Sequence, residues 1–376
     1  MLTQKILILG ITGNLAKIKI LPAVGQYFAM HKDQINIELY GYSRSIANLD
    51  EIQTIIGNYS QNSVLPKITL VTGQYEDNNF YHNLVHNLQS NESLLVYLAV
   101  PPSTYLPFLQ NSCPYSHQPI DVVIEKPFGE SLKEAEKILQ VVSACNLHQK
   151  VHFLDHYLFK SSTQVKLHQL GQNLNLPFDK LKKVIIQALE TVDSKDRGGY
   201  YDTTGAIKDM FPHLYSLFNL SLQIFGKDKS TPNWVVNAKT TAQYDGYTTD
   251  IGKEKSDTET YFQTSLMAYF DNQNIEVIFE SGKKQTQKLT QVTMEFEDNR
   301  VLVYQIAPQM EFKIYTKNAD NSLVLVREIP VLDNHKLDHT TVFEDVLESN
   351  FGRFVANNKV LDYWQLYEKI KSFEGL

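Results

Sequence analysis

The sequence predicts an α/β protein with an N-terminal Rossmann-like doubly wound parallel sheet, followed by a C-terminal α+β domain that holds a large antiparallel sheet. In the first 150 residues, short apolar β-rich runs alternate with longer helical patterns, which is typical of a parallel sheet. Between residues 261 and 330, strand-like runs follow one another with short turns and no intervening helix, which favours antiparallel pairing. We place the domain boundary between residues 154 and 155.

The elements are predicted in order from the hydrophobic pattern. Strands are predicted at Lys5–Leu9, Ile35–Tyr42, Leu94–Val100 and Asp121–Glu125, and then at the runs SLMAYF, IEVIFE, QVTMEFE, RVLVYQIA, EFKIYT and SLVLVREI. Helices are predicted over residues 14–31, 131–145, 160–171, 206–225 and 339–373. Ser131 and Glu134 form a capping-box pattern at the start of the second of these helices. The polar stretch 227–260 is predicted to contain loops.

Composition excludes several classes of protein. The 376 residues include 35 Lys and Arg and 42 Asp and Glu, a formal net charge of −7, so a nucleic-acid partner is not expected. The longest apolar stretch, Leu94–Pro102, is too short to span a bilayer, and no membrane partner is expected. Cys113 and Cys145 are interpreted as reduced thiols. Together with the absence of a signal-peptide pattern, they predict a cytoplasmic protein.

A glycine turn follows the first predicted strand, in the sequence GITGNLAK from Gly10 to Lys17. Glycines allow the backbone to approach a diphosphate, and the following helix N-terminus offers free N–H groups to it. A plain strand-to-helix turn remains an alternative. The second strand ends in Ser43 and Arg44, where NAD-preferring folds carry an acidic residue. An arginine there can hold a 2′-phosphate, which favours NADP over NAD, although an exposed loop arginine is also compatible.

Four further motifs appear in order: EKPFG (residues 125–129), DHYLFK (155–160), RGGYYD (197–202) and SGK (281–283). Taken alone, each has an ordinary structural interpretation, and lysines on a hairpin usually belong to a solvated face. Together with GITGNLAKIKILPA and GYSRS, this ordered set resembles the glucose-6-phosphate dehydrogenase family along the whole chain.

The resemblance implies an enzyme that oxidises C1 of glucose 6-phosphate to a lactone while NADP is reduced. Residues 1–154 would then be the NADP-binding domain, and residues 155–376 would bind substrate and form a homodimer. By motif matching, His213 would be the general base and Asp155 its orienting carboxylate. A histidine suits this task because its pKa lies near the operating pH. The resemblance also implies a cis peptide bond before Pro127.

The same matching assigns binding residues. The expected cofactor-binding residues are Gly10, Thr12, Gly13, Asn14, Leu15, Ser43, Arg44, Val100, Pro101 and Lys126. The expected substrate-binding residues are Lys19, Lys126, His156, Tyr157, Lys160, Glu190, Asp209, Lys283 and Lys288. No metal is expected. His335 and His339 are four residues apart and could bind a divalent ion on a helix, but they are interpreted as part of a solvated loop.

One departure from the family pattern concerns the base. Only four positions lead from Asp209 to His213, where five are expected, and one missing residue turns a helical side chain by about 100°. Pro212 is expected to kink the helix there. A dehydrogenase of another hexose phosphate or of an amino sugar, and a non-catalytic NADP- or sugar-phosphate-binding paralogue, therefore stay open. NAD also stays open as the cofactor.

Overall fold

The structure is a computed structural model that describes residues 2–60, 64–75, 77, 79–147, 150–160, 174, 176–227, 230–331 and 336–374. The chain divides into two compact units. The first unit comprises Met1–Phe159 and His335–Leu361, and the second comprises Lys160–Asn334 and Asp362–Leu376. The first change of unit lies five residues after the domain boundary that we place at residue 154. The predicted helix over residues 160–171 lies, apart from Lys160, outside the described residues.

The first unit contains a six-stranded, wholly parallel sheet in the order β3-β2-β1-β4-β5-β6. Its strands are β1 (Thr3–Leu9), β2 (Asn36–Ser43), β3 (Lys67–Thr72), β4 (Glu92–Leu98), β5 (Ile120–Glu125) and β6 (Val151–Leu154). Its helices are α1 (Leu21–His31), α2 (Leu49–Ser60), α3 (Asn79–His86), α4 (Tyr105–Ser112), α5 (Leu132–Ala144) and α8 (Asp338–Leu347). This arrangement confirms the predicted doubly wound sheet.

The apolar sequences of its strands explain why this sheet is buried. β1, β4 and β5 are almost entirely buried, as expected for strands that helices cover on both faces. The strand order reverses between β1 and β4, and in open parallel sheets ligands bind at the carboxyl ends of the strands beside such a reversal. Val342 and Phe343 of α8 join the core of this unit. The C-terminal part of the chain therefore returns to a sheet formed by the N-terminal part.

The two cysteines contradict the sequence-based interpretation. Cys113 and Cys145 form a disulfide, with their Cα atoms 5.1 Å apart, and are not reduced thiols. Each follows directly after the end of a helix, Cys113 after α4 and Cys145 after α5, and these two helices pack together. Because both helices follow parallel strands, they run in the same direction and their C-terminal ends meet. The two cysteines are 32 residues apart in sequence, so no local motif marked them as a pair.

The second unit contains an eight-stranded sheet in the order β14-β13-β12-β11-β7-β10-β9-β8. Its strands are β7 (Leu181–Leu189), β8 (Asn233–Ala242), β9 (Tyr261–Phe270), β10 (Gln273–Gly282), β11 (Leu289–Phe296), β12 (Arg300–Ala307), β13 (Glu311–Lys317) and β14 (Leu323–Ile329). All neighbours are antiparallel except β7 and β10, which are parallel. The large antiparallel sheet is thus confirmed.

The prediction of loops over residues 227–260 is wrong for β8. This strand lies at the edge of the sheet, and most of its side chains are exposed. An edge strand needs no alternating apolar face, so its polar sequence concealed it. The short helix α7 (Tyr247–Asp250) follows β8, and the last helix, α9 (Asn357–Ser372), begins in residues grouped with the first unit and ends in residues grouped with the second.

The long helix α6 (Gly198–Leu222) packs on the sheet of the second unit. Its backbone leaves helical geometry at Gly205, where φ is 70° and ψ is 173°, and is helical again from Ala206 onward. The helical assignment continues through Pro212, and the break in helical geometry lies at Gly205, which the sequence did not indicate. Among the described residues, no helix combines the length and the apolar character needed to cross a bilayer.

Candidate active site

In the first unit, all six parallel strands end at one edge of the sheet, and predicted site residues lie at the ends of five of them. The turn after β1 is built on Gly10, whose φ is +87°. Its N–H donates to the Tyr42 carbonyl at 2.7 Å, and a Cβ atom on Gly10 would lie 2.2 Å from the Ala99 carbonyl oxygen. Gly13 continues the turn by donating to the Gly10 carbonyl at 2.9 Å. Only glycine permits this close approach, as a phosphate-binding turn requires.

The turn leads into a π-helical segment, Ala16–Ile20, which continues as α1. Asn14 is exposed at its start, whereas Leu15 packs against the core. The Thr12 hydroxyl lies 3.2 Å from that of Ser45, which joins this turn to the one after β2. Lys19 is exposed on the π-helical segment. The segment begins where free N–H groups and a positive helix end would face an anion.

After β2, Ser43 and Arg44 take different roles. The Ser43 side chain is fully buried and its hydroxyl donates to the Ser45 carbonyl at 2.7 Å, so it shapes the turn. Arg44 is exposed, and its guanidinium lies 5.2 Å above the ring of Tyr75. Tyr75 was missed by sequence reasoning, since nothing near it in the sequence marks it as a neighbour of Arg44. A planar guanidinium at this edge suits a phosphate or a stacked base.

Two further strand ends, those of β4 and β5, lie at this edge. Val100 and Pro101 follow β4, and Val100 is buried beside the Gly10 turn. Lys126 follows β5 directly and is half-buried, and the predicted cis bond between Lys126 and Pro127 is present. Val100 and Pro101 thus lie beside the strand-order reversal between β1 and β4, and contacts of all three residues with a cofactor stay a prediction.

The DHYLFK motif follows β6. Asp155 is fully buried, and its carboxylate accepts the backbone N–H of Tyr157 at 3.0 Å. His156 is half-buried at the start of a 3₁₀ turn, His156–Phe159, and Tyr157 is 8% exposed. Lys160 is half-buried and belongs to the second unit.

In the second unit, the parallel pair β7 and β10 brings two predicted residues together. Glu190 follows β7 and Lys283 follows β10, and the Lys283 ammonium forms a salt bridge with the Glu190 carboxylate. Lys283 is only 9% exposed, and its Nζ lies 5.6 Å from the centre of the Tyr201 ring. Lys288 is instead exposed in the connection to β11. The structure therefore groups one of the two predicted lysines with the carboxylate.

Helix α6 contributes the other predicted residues of this unit. Asp209 and His213 are four residues apart in regular helix, so they share one side of it, and both are buried. Burial, together with the carboxylates of Asp209, Glu259 and Glu190, raises the pKa of Tyr201 well above its usual value. Tyr201 thus lies among the carboxylates of three separate elements. Sequence reasoning missed it, although RGGYYD was singled out as a motif.

Glu259 was also missed, and it determines where the regular part of α6 begins. Its carboxylate accepts the N–H of Ile207 at 3.1 Å, and its carbonyl accepts the N–H of Ala206 at 2.9 Å. A Cβ atom on Gly205 would lie 2.5 Å from this carboxylate. Glu259 therefore caps the N-terminus of the helical segment that carries Asp209 and His213, although it is distant in sequence. No local sequence signal could show a cap that comes from 52 residues away.

Chemically, the second unit combines a buried imidazole, two carboxylates and a paired ammonium, which suit proton transfer and binding of a polyhydroxylated, negatively charged molecule. The first unit offers the glycine turn and strand-end edge of a dinucleotide site. His213 lies in the second unit and Asp155 in the first, and their pairing stays a prediction.

Comparison with known proteins agrees with this fold. The family model described as "Glucose-6-phosphate dehydrogenase, NAD binding domain" matches residues 7–165. The chain resembles the glucose-6-phosphate dehydrogenases. Cytoplasmic glucose-6-phosphate 1-dehydrogenase 5 of Arabidopsis thaliana is 27% identical over 347 residues, which cover 78% of this chain and 66% of that protein. The Helicobacter pylori (strain ATCC 700392 / 26695) glucose-6-phosphate 1-dehydrogenase is 22% identical over 393 residues, 97% of this chain and 92% of its own length.

A solved glucose-6-phosphate dehydrogenase in complex with its substrate glucose 6-phosphate has the same fold. It superposes with a TM-score of 0.77 at 19% identity and covers 99% of this chain and 92% of its own. The resemblance inferred from six ordered motifs is thus confirmed. The proteins that this chain resembles are oxidoreductases. Residues 7–165 are thus similar to a nicotinamide-nucleotide-binding domain. The chain spans about two thirds of the length of the Arabidopsis glucose-6-phosphate dehydrogenase.

Proposed function

We propose that this chain oxidises glucose 6-phosphate at C1 to 6-phosphoglucono-lactone with NADP, as in the oxidative pentose phosphate pathway. One observation carries the proposal. In the second unit, a buried histidine and a buried aspartate, His213 and Asp209, share one side of a regular helix, and the Glu190–Lys283 ion pair lies beside the same group of carboxylates. This supplies a base together with acceptors and a donor for sugar hydroxyls.

His213 takes the proton of the C1 hydroxyl as the C1–H bond breaks, with Asp155 orienting the imidazole. NADP, when bound, accepts the hydride from C1. The first unit fits this cofactor, because the tight Gly10 turn at the carboxyl end of β1 leads directly into a helical segment whose first N–H groups are available to a diphosphate. Arg44 is exposed, and the end of the second strand carries no acidic residue. Both features support NADP over NAD.

The remaining predicted residues hold the substrate. Glu190 and Asp209 accept hydrogen bonds from sugar hydroxyls, and Lys283 neutralises this carboxylate-rich site. The phosphate dianion is held by charged and hydroxyl donors, for which the resemblance supplies His156, Tyr157 and Lys160. Lys126 lies between nicotinamide and sugar, while Lys19 and Lys288 add positive charge. Holding both ends of the substrate fixes C1 against the base, which contributes to catalysis.

The proposal includes a homodimer formed by the domain over residues 155–376, and a cytoplasmic location. The location is supported by the name of the Arabidopsis relative. The sequence argument from reduced thiols no longer supports it, since Cys113 and Cys145 form a disulfide.

The test measures the steady-state rate at which reduced nicotinamide forms. Glucose 6-phosphate, glucose, other hexose phosphates and amino sugars are each assayed once with NADP and once with NAD. The proposal predicts that glucose 6-phosphate with NADP gives the highest kcat/KM. A higher kcat/KM for another sugar would reassign the substrate. Ligand-induced thermal stabilisation without turnover on any sugar would support the non-catalytic paralogue instead.

A further inference from the structure

A buried polar cluster lies at the carboxyl edge of the parallel sheet, behind the residues already assigned. Glu125, the last residue of β5, accepts a hydrogen bond from the Tyr97 hydroxyl at 2.5 Å. The Nε2 atom of His339 lies 3.2 Å from the same carboxylate oxygen. The exposed fractions are 0% for Tyr97, 6% for Glu125 and 1% for His339. His339 therefore does not lie in a solvated loop, and the sequence interpretation is wrong; His335 lies outside the described residues.

The position of His339 is fixed from the other side by α1. His339 is the second residue of α8, and the next residue, Thr340, donates its hydroxyl to the Ala23 carbonyl at 3.3 Å. The N–H of Leu337 donates to the Gln26 side chain at 2.9 Å. Since α1 follows the glycine turn, the imidazole is held between the nucleotide-binding helix and the end of β5.

Tyr97 stays a donor over the whole working pH range. Complete burial, and then the nearby Glu125 carboxylate, raise the pKa of Tyr97 well above its ordinary value. A buried carboxylate that keeps two donors on one oxygen has its direction fixed, because losing a donor leaves the carboxylate partly unsatisfied.

The cluster borders two predicted substrate residues. Lys126 is joined to Glu125 through a single peptide bond, so a fixed Glu125 side chain restrains the backbone from which the Lys126 side chain departs. The His156 ring lies 6.1 Å from the His339 ring, with an angle of 23° between the two planes. One imidazole thus contacts the support of Lys126 and lies alongside His156.

We propose that His339 is a positioning residue: through Glu125 and its stacking beside His156, it holds Lys126 and His156 in the direction that binds the sugar phosphate. This inference rests on the proposed function for the identity of the substrate. It assigns to the C-terminal segment a role in the site that no motif of that segment indicates.

The test compares His339→Leu, which removes the donor, with His339→Gln, which keeps an N–H donor. We expect His339→Leu to raise the KM for glucose 6-phosphate about tenfold or more, because misplacing binding groups by about 1 Å costs up to about 100-fold. We expect His339→Gln to stay within about threefold of the wild type, and the KM for NADP to change less than the KM for sugar in both.

A matched control exists in the same unit. His152 is also buried, at 4% exposure, and its Nε2 lies 2.7 Å from Asp121, but it does not belong to this cluster. His152→Leu should lower the thermal midpoint without changing the KM for sugar phosphate. If His339→Leu does not fold, Tyr97→Phe removes the other donor while keeping the ring, and it should raise the same KM about threefold or more.

A second readout does not depend on turnover. Labelling of Lys126 with an amine-reactive ester, followed by mass spectrometry, should become at least about threefold faster in His339→Leu and stay unchanged in His339→Gln, with Lys137 as the internal reference. If the wild type oxidises no sugar phosphate, the proposed function fails and this labelling decides the inference alone. Unchanged labelling, or an equal loss in His339→Leu and His339→Gln, would overturn the positioning role.

Discussion

Lys283 and Lys288 are five residues apart in sequence and receive different environments from the fold. Lys283 is 9% exposed, paired with Glu190, and packed on Tyr201, whereas Lys288 is exposed. The difference arises because Lys283 directly follows β10, and Glu190 directly follows β7, the parallel neighbour of β10. The motif pattern treats both lysines alike, since strand pairing between distant segments cannot be read from either one.

Replacement of Lys283 by Met should raise the KM for glucose 6-phosphate about tenfold or more, because the Glu190 carboxylate would keep its charge without the ammonium. Lys284→Met is the matched control, since Lys284 is the next residue and is exposed. Steady-state kinetics of both variants provide the measurement. Equal KM values for the two variants would show that Lys283 takes no part in substrate binding.

Asp202 gives a pH-dependent contribution to stability. Its carboxylate accepts from Lys253, from the Ser256 hydroxyl at 2.5 Å and from the Tyr247 hydroxyl at 3.2 Å. Hydrogen bonds from Lys253 and then Ser256 lower the pKa of Asp202 from 3.8 to about 2. The charged form is favoured in the folded state, so its contribution is complete above the unfolded pKa and is lost as pH falls through the folded pKa.

We therefore expect Asp202→Asn to be less stable than the wild type by a constant amount above about pH 4, with the difference closing as the pH falls toward about 2. Urea unfolding of both proteins across this range measures the free-energy difference. A difference that persists undiminished at the acidic end would contradict the assigned cause of the pKa shift.

At the scale of elements, helix α6 is divided by Gly205, and Glu259 caps the part that carries Asp209 and His213. The sequence predicts the start of this helical segment at residue 206 from its pattern. It does not predict the break at Gly205, because the Glu259 cap comes from a distant part of the chain and leaves no local signal. The regular backbone through Pro212 places His213 on the same side as Asp209.

Replacement of Glu259 by Ala should lower the free energy of unfolding by about 1–2 kcal/mol, as for the loss of other N-caps. It should also lower kcat, since the segment that carries His213 loses its fixed start. Glu254→Ala, at an exposed position in the same connection, is the control. Chemical denaturation and kinetics measure both effects, and an unchanged stability with Glu259→Ala would reject the capping role.

Strands were predictable where burial determines their composition. β1, β4 and β5 lie between helices, so apolar runs without alternation marked them in the sequence. β8 has one paired edge and mostly exposed side chains, so its polar sequence was interpreted as loop. For β8, its neighbours in the sheet and not its own residues determine the conformation. β6 and β7 are largely buried and were not predicted either.

At the scale of the whole molecule, the chain returns to its first unit after about half its length has formed the second. Residues 335–361 are grouped with the N-terminal sheet, and His339 reaches Glu125 there. The glycine turn and the site motifs could be predicted because each is local in sequence. The roles of Glu259, Tyr201 and His339 could not, since each depends on contacts across long stretches of chain.

The disulfide should stabilise the first unit. Closing a loop with a sequence separation of 32 lowers the entropy of the unfolded chain, which corresponds to about 3–4 kcal/mol. We expect the double variant Cys113→Ser, Cys145→Ser to unfold at lower urea concentration than the oxidised protein and to coincide with the reduced wild type. Superimposable curves for the oxidised protein and the double variant would exclude a stabilising bond.

The central claim is that His213 is the base of a sugar-phosphate dehydrogenase. The most direct measurement is the formation of reduced nicotinamide from glucose 6-phosphate and NADP by the wild type, His213→Asn and the control His152→Asn. We predict that kcat falls about 100- to 10,000-fold in His213→Asn alone, with glucose 6-phosphate still raising its thermal midpoint. Turnover by His213→Asn within about tenfold of the wild type would contradict the claim and move the base to another residue.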